Sequence, residues 1–289
     1  MKTENTFWAA QGAMATFVLL WGSAAIVTRW GLDHGSVLAL LILRFALALG
    51  ALLLIRGGRL LPPRGQRLPV AGVGLLLIGF YTLCYFLALE HEVTPGLLAT
   101  VLGAQPILTL VLTERRFSPW RLAGLLLALL GLTLVVYQSL VLARLSWTGM
   151  AFALGALLCV TVGALWQKRI ALPPSEVLPL QYAVTLLLCA LLIPFQPFHW
   201  QWSVGFLVPV IWMGLGVSVA AQLLLYRMIR SGNLVNVTSL FYLVPVVTVL
   251  LDYLVFGNAL SAMSLAGMIA ILAGLAVVHG QRERVPSKP

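Results

Sequence analysis

Charge is what this chain has least of. Charged residues make up 9% of its 289 residues, with only 8 Asp and Glu, against 61% hydrophobic residues. A soluble domain carries about 25% charged residues, so most of this surface is expected to face lipid. Histidine (4) and cysteine (3) are also sparse. Cys84, Cys159 and Cys189 all fall inside apolar runs and are odd in number. They read as small core residues, and neither a disulfide framework nor a metal centre is expected. No HExxH motif, no pair of embedded aspartates and no nucleophile with a base in reach is found, which argues against an intramembrane enzyme. No cofactor is expected. The segments between apolar runs are too short for any soluble domain, so a scaffold or sensor would have nothing to signal with.

Apolar runs are what the chain has in abundance. A membrane-spanning helix needs about 20 apolar residues, and ten windows fit, at roughly 8–30, 36–56, 69–90, 94–114, 119–138, 147–170, 177–194, 204–230, 234–257 and 261–279. The first runs on into Thr28-Arg29-Trp30 without a small-residue cleavage site, so it is expected to remain as a span. The fold class is therefore all-α integral membrane, with ten transmembrane helices. Tryptophans such as Trp30, Trp120, Trp147, Trp200 and Trp202 fall near window edges, where an aromatic belt is expected.

The ten windows divide into two similar sets of five. Pro106 and Pro245 are 139 residues apart, as are Leu87 and Tyr226. Later in each half, Leu122-Ala123-Gly124 recurs as Leu265-Ala266-Gly267 and Gly131-Leu132 as Gly274-Leu275, 143 residues apart. The organisation is an N-terminal repeat over 1–140 and a C-terminal repeat over 141–289, within one membrane domain. An odd number of crossings per repeat inverts the second copy relative to the first. Inverted repeats are the plan of alternating-access transporters, with the substrate held between the repeats near the membrane midplane.

The net charge of +10 would suggest nucleic acid if the bases shared a soluble face. Alternating the spans instead puts 15 of the 18 Lys and Arg on one side, among them Lys2, Arg56, Arg59, Arg116, Arg121, Lys168, Arg282, Arg284 and Lys288. Arg29 and Arg144 fall on the other, and Arg44 within the second span. That bias is the positive-inside pattern, with both termini cytoplasmic. Anionic lipid headgroups, and not nucleic acid, are the expected partners of the bases.

At this point the sequence resembles a known family. Ten spans in two five-helix repeats, Trp21-Gly22-Ser23 in the first span and a proline midway along the fourth and ninth are similar to the drug/metabolite transporter superfamily, of the EamA type. The Gly-rich fifth and tenth spans and the run Tyr226-Arg227-Met228-Ile229-Arg230-Ser231-Gly232 fit as well. Within that superfamily the chain looks most like bacterial aromatic amino acid exporters. The resemblance implies an inner-membrane carrier, and export rests on it alone. It also marks two departures. Family repeats often carry Glu about 13 residues after the span proline, and Asn258 stands there in the second half. The proline-to-glycine distance is 18 residues from Pro106 to Gly124 and 22 from Pro245 to Gly267, so about one helical turn is missing from the first half.

Several residues could carry transport. Trp21 sits mid-span, either as a stacking wall of a cavity or as a packing residue. Tyr81 and Tyr85 lie one turn apart in the third span, and Ser218, Gln222 and Tyr226 form a polar stripe at four-residue spacing in the eighth. Such a stripe must face protein or water, to bind a solute or to bond helices together. Gln105 adjoins Pro106, and Thr238 and Tyr242 lead to Pro245. The two prolines should kink their helices, making them candidate hinges and freeing carbonyls for a solute or a neighbouring hydroxyl. Arg44 is embedded in the second span, with Gln181 as its counterpart by the match of Arg44-Phe45-Ala46 to Gln181-Tyr182-Ala183. Arg44 is expected to attract a substrate carboxylate, to pair with Asp252, or to reach the headgroups. Asp252 is the one embedded acid and the candidate coupling residue. With no central histidine and one such acid, facilitated diffusion is favoured over proton coupling. The expectation is a monomeric carrier exporting small, mainly aromatic and neutral, amino acids. Proton-coupled efflux of apolar cations is the alternative.

Overall fold

The computed structural model describes residues 2–141, 146–257 and 259–280. Asn258, Arg144, Arg282, Arg284 and Lys288, invoked above, lie outside the described residues. Ten apolar helices follow one another, with no β-strand among the described residues. They are α1 (Lys2–Leu32), α2 (Val37–Ile55), α3 (Arg64–Glu90), α4 (Pro95–Thr113) and α5 (Pro119–Val135), then α6 (Trp147–Arg169), α7 (Pro174–Leu191), α8 (Val204–Ser231), α9 (Leu234–Val255) and α10 (Ala262–Gly280). Nine are long and apolar enough to cross a membrane, and α5, at 17 residues, is the shorter tenth.

Helix starts follow side-chain chemistry. Ser36, Thr94, Ser146 and Asn233 each accept a backbone N–H from the first turn of α2, α4, α6 and α9, and Pro95 occupies the first turn of α4, where its missing N–H costs nothing. The fifth helix ends at Val135, short of the expected 138, and a short helical turn, Tyr137–Val141, follows. Ser139 in that turn ties it to the start of α4: its hydroxyl accepts from the Gly96 N–H at 3.1 Å, and its carbonyl accepts from the Thr94 hydroxyl.

The two halves interleave. The third helix packs on α6 and α7, and α8 packs on α1 and α2, so the third member of each set of five lies on the first two of the other. The second helix meets its counterpart α7, α1 packs on α9, and α4 on α6. The fifth and tenth helices form the most extensive pair.

That pair is antiparallel and glycine-tight. A Cβ built on Gly124 would lie 2.8 Å from the Gly274 carbonyl, and one on Gly131 would lie 2.6 Å from the Gly267 carbonyl. The reciprocal distances at Gly274 and Gly267 are both 2.5 Å. Association in lipid relies on such close backbone approach, because burying apolar side chains gains little there.

Both proline-bearing helices are broken at matching places. The fourth helix splits into Pro95–Leu102 and Gln105–Thr113. The ninth runs as Leu234–Ser239, a 3-10 turn over Leu240–Tyr242, and then an α-helical stretch from Leu243 onward. Each break lies just before its proline, where the ring removes an N–H and crowds the preceding turn. A second matched irregularity was not anticipated. The third helix is π-helical over Leu75–Phe80 and the eighth over Trp212–Ala221. Shifted by 139, the first segment falls within the second.

Candidate functional site

Where α2 meets α7, the repeat counterparts Phe45 and Tyr182 stack on each other with ring centroids 5.5 Å apart. Arg44 and Gln181 stand beside them. Two glycines bring the π-helical segments of α3 and α8 against this centre. A Cβ at Gly214 would meet the Arg44 carbonyl at 3.2 Å, and one at Gly74 would meet the Gln181 Cα at 2.6 Å. Each half thus presses its third helix onto the corresponding turn of the other half's second helix.

The two sides of this arrangement differ in chemistry. On the glutamine side the amides and tyrosines are engaged, and the buried Ser218 hydroxyl is left without a partner. Gln181 is fully buried, its Nε2 donates to Gln167 Oε1 at 2.9 Å, and its Oε1 accepts from the Tyr226 hydroxyl at 2.8 Å. Gln222 is buried and hydrogen-bonded to Tyr226. The Tyr182 hydroxyl donates to the Ser218 carbonyl, and the Thr185 hydroxyl to the Gly74 carbonyl at 3.3 Å. These bonds draw on backbone within the π-helical stretch of α8 and on the residue just before that of α3. Such stretches recur at functional sites because their wider turns displace the regular ladder.

On the arginine side the groups are not used up. The Arg44 Cζ lies 4.6 Å from the Phe45 ring centroid, a cation–π geometry. Its electrostatic neighbours are Tyr182, Cys189 and Tyr81, and its Nε is buried without a hydrogen-bond partner. A guanidinium in a membrane interior needs a counter-charge or water. Tyr81 follows the π-helical segment of α3 directly and lies 6.1 Å from Tyr85 between ring centroids; both are half-buried. Tyr85 makes an edge contact with Phe86.

The remaining expected residues fall elsewhere in the bundle. Trp21 packs in an aromatic triad with Phe17 and Phe241, with centroids 5.3–5.4 Å apart, where α1 meets the 3-10 turn of α9. Gln105 is buried at the break of α4 beside Pro106. Tyr242 is fully buried and donates its hydroxyl to the Gly103 carbonyl, joining the two broken helices. The structure therefore brings Arg44 and Tyr81 together, and Gln222 with Tyr226, and it places Gln105 and Tyr242 apart from them at the joined breaks of α4 and α9, with Trp21 against the neighbouring 3-10 turn. Asp252 is half-buried on α9, beyond Pro245. Among the described residues no cluster of metal-ligating side chains is found.

Two features escaped the sequence reading. Gln167 and Gln181 form a buried amide pair, for which only the alignment of Gln181 with Arg44 gave a hint. The second is a polar knot at the basic end of the bundle. Arg121 on α5 is buried, pairs with Glu114 at the end of α4, and donates to Asn233 Oδ1 at 2.8 Å and Asn236 Oδ1 at 2.6 Å on α9. Arginine and glutamate seven residues apart in adjoining helices were the available signal.

With this geometry in place, similarity to other proteins is informative. The EamA-like transporter family profile matches residues 8–137 and again 147–280, once for each half. The Escherichia coli K12 protein named uncharacterized inner membrane transporter YedA is 26% identical, covering 96% of this chain and 93% of that protein. A Salmonella typhimurium protein named probable amino-acid metabolite efflux pump is also 26% identical, covering 92% and 94% respectively. A solved crystal structure superimposes with a TM-score of 0.77 over 96% of this chain and 99% of the other, at 24% identity, and so shares the fold. Two profile matches covering nearly the whole chain, on a bundle of ten apolar helices, place it: the chain belongs to the EamA-like transporter family.

Proposed function

We propose that this protein is a bacterial inner-membrane carrier that exports small amphipathic metabolites, chiefly aromatic and other neutral amino acids, by alternating access between two inverted five-helix repeats. The observation that carries the reading is Arg44. An embedded guanidinium with an unpartnered Nε, flanked by Tyr81 and Tyr182, suits a substrate carboxylate, and the tyrosine rings suit an aromatic side chain. Supporting it are the antiparallel contact of the equivalent helices α5 and α10, the names of the relatives, and the fixed positive charge, which disfavours cationic drugs.

In this reading Arg44, Tyr81 and Tyr85 hold the solute. Trp21, Gln105, Gln222, Tyr226 and Tyr242 belong to the walls uncovered as α3 and α8 shift. Pro106 and Pro245 mark the hinges. The end rich in Lys and Arg faces the cytoplasm with both termini, and anionic lipids neutralise it. The carrier works as a monomer, by facilitated diffusion, and Asp252 is the residue through which any proton coupling would act.

The test is flux of labelled phenylalanine and tryptophan into liposomes bearing the purified protein, with and without a pH gradient, beside a hydrophobic cation. Saturable amino acid flux that ignores the gradient is expected. Arg44→Gln should raise the half-saturating concentration about tenfold or more, since hydrogen bonds to charged groups contribute about 1.5–3 kcal/mol. Unchanged affinity in that variant would remove the carboxylate role. Movement of the cation alone would favour drug efflux instead.

A further inference from the structure

The knot around Arg121 forms one wall of a cavity of about 710 Å³ at the basic end, lined by the ends of α4 and α6, by α5 and by the start of α9. Four cations line it, Arg116, Arg121, Lys168 and Arg169, against one carboxylate, Glu114. That carboxylate is already committed to Arg121, and it also accepts from Asn233 Nδ2 at 3.4 Å. Lys168 is committed as well, donating to the Arg230 and Gly232 carbonyls at the end of α8. Arg116 and Arg169 are exposed at the rim, and Leu165 and Leu234 supply an apolar wall. Arg121 is 6% exposed and its Nε is buried without a partner. Placement of bases on one side explains a charged rim. It does not explain a buried arginine on the wall of a cavity.

At the opposite end the arrangement is not repeated. By the 139-residue offset, Glu114 corresponds to Tyr253 and Asn233 to Thr94, and Arg121 corresponds to Ser264 by the later offset of 143. The three counterparts are neutral, so whatever the cavity recognises is recognised at one end.

We propose that this cavity is a loading site for solutes carrying a carboxylate and an apolar side chain, with Arg121 as the carboxylate receptor. It deepens the transport reading above and rests on it. The chemistry is an exchange of anions. Removing Glu114 alone would strand a buried guanidinium, whereas an arriving carboxylate can take its place on Arg121. Once displaced, Glu114 no longer ties α4 to α5 and α9, and α4 is the helix already broken at Gly103–Ala104. A cation cannot make this exchange. The site therefore selects for anionic or zwitterionic cargo before the solute reaches Arg44, and binding itself loosens the basic end.

The experiment places a cysteine on the cavity wall, Thr113→Cys, in a full-length background lacking the native cysteines. The protein is held in nanodiscs of phosphatidylcholine, with or without phosphatidylglycerol. The rate of labelling by a membrane-impermeant maleimide is measured against phenylalanine, 3-phenylpropionate and phenethylamine. The two carboxylates are expected to slow labelling several-fold and phenethylamine to leave it unchanged. Glu114→Gln should lower the protecting concentration, and Arg121→Gln should abolish protection. Should Arg121→Gln fail to fold, Arg121→Lys and the comparison of the three solutes on the parent protein still decide. Equal protection by phenethylamine would overturn the proposal. So would labelling already slowed by phosphatidylglycerol and indifferent to solute, which would make the occupant a lipid phosphate. Flux in liposomes is measured alongside. Amino acid flux without protection sinks this site alone, and protection without flux sinks the transport reading while the site stands.

Discussion

Tyr242 donates its hydroxyl to the carbonyl of Gly103, and the two residues are 139 positions apart. That is the spacing that relates Pro106 to Pro245, so Tyr242 is bonded to its own counterpart in the other half. Each proline breaks its helix, and the two breaks meet at this bond. The Gly103 carbonyl, at the break itself, is satisfied by a hydroxyl of the other half, so the two kinks are physically joined.

Tyr242→Phe should therefore cost little stability, about 0.6 kcal/mol as for other interhelical hydrogen bonds in membranes. The expected signature is kinetic: a lower maximal flux at an unchanged half-saturating concentration. A shifted half-saturation in the liposome assay would instead make Tyr242 a solute contact.

The glycines at the α5–α10 contact, Gly124, Gly131, Gly267 and Gly274, should tolerate nothing larger. In Gly131→Ala the new Cβ meets backbone at 2.6 Å, which no rotamer change can relieve. A loss of about 1–3 kcal/mol is expected, as for other overpacked contacts. Gly50→Ala on α2 is the control, because nothing lies within 4 Å of that position. It should be neutral or stabilising by up to about 1 kcal/mol, given the helix preference for alanine. Thermal unfolding midpoints in detergent compare the two.

The amide pair supports a third prediction. Gln167→Leu leaves a buried donor of Gln181 unsatisfied, a cost of about 1–3 kcal/mol. Adding Gln181→Leu and Tyr226→Phe removes those two partners as well, leaving only Gln222 without its tyrosine, and part of the lost stability should return. If the triple variant is instead less stable than the single, the network contributes more than it costs to bury.

Cys84 on α3 and Cys159 on α6 hydrogen-bond to each other, whereas Cys189 lies on α7 near Arg44. A membrane-permeant copper–phenanthroline oxidant should take two electrons from the 84–159 pair, releasing two protons and closing one disulfide. Intact mass and thiol counting would show one reactive cysteine left, and peptide mapping should identify it as Cys189. Any other pairing would contradict the packing of α3 on α6.

Much of this architecture is legible in the chain because lipid makes simple demands. Twenty-residue apolar runs and mid-span prolines have direct physical readings, and the ten helices and two breaks follow them within a few residues. The paired glycines 124/131 and 267/274 announced a close contact without saying which helices make it. The π-helical segments left no mark, since their residues satisfy the same apolar composition as an α-helix. Interleaving of α3 with α6 and α7 depends on contacts far apart in sequence. For the site, Arg44 stood out as an embedded charge, but its neighbours Tyr182 and Cys189 read as ordinary core. Arg121 reads from sequence as one more base on the positive side, because sequence cannot show that Glu114, Asn233 and Asn236 fold over it.

The glycine contact between α5 and α10 has a consequence for how this protein can change over generations. Each helix presents bare backbone to the other, so neither can acquire a side chain while its neighbour stays as it is. A substitution on one helix of the pair is viable only with a shift of both. The two halves differ in chemistry at their centre, where Arg44 and Gln181 take matching places, but at this seam the backbone of each fixes what the other can carry.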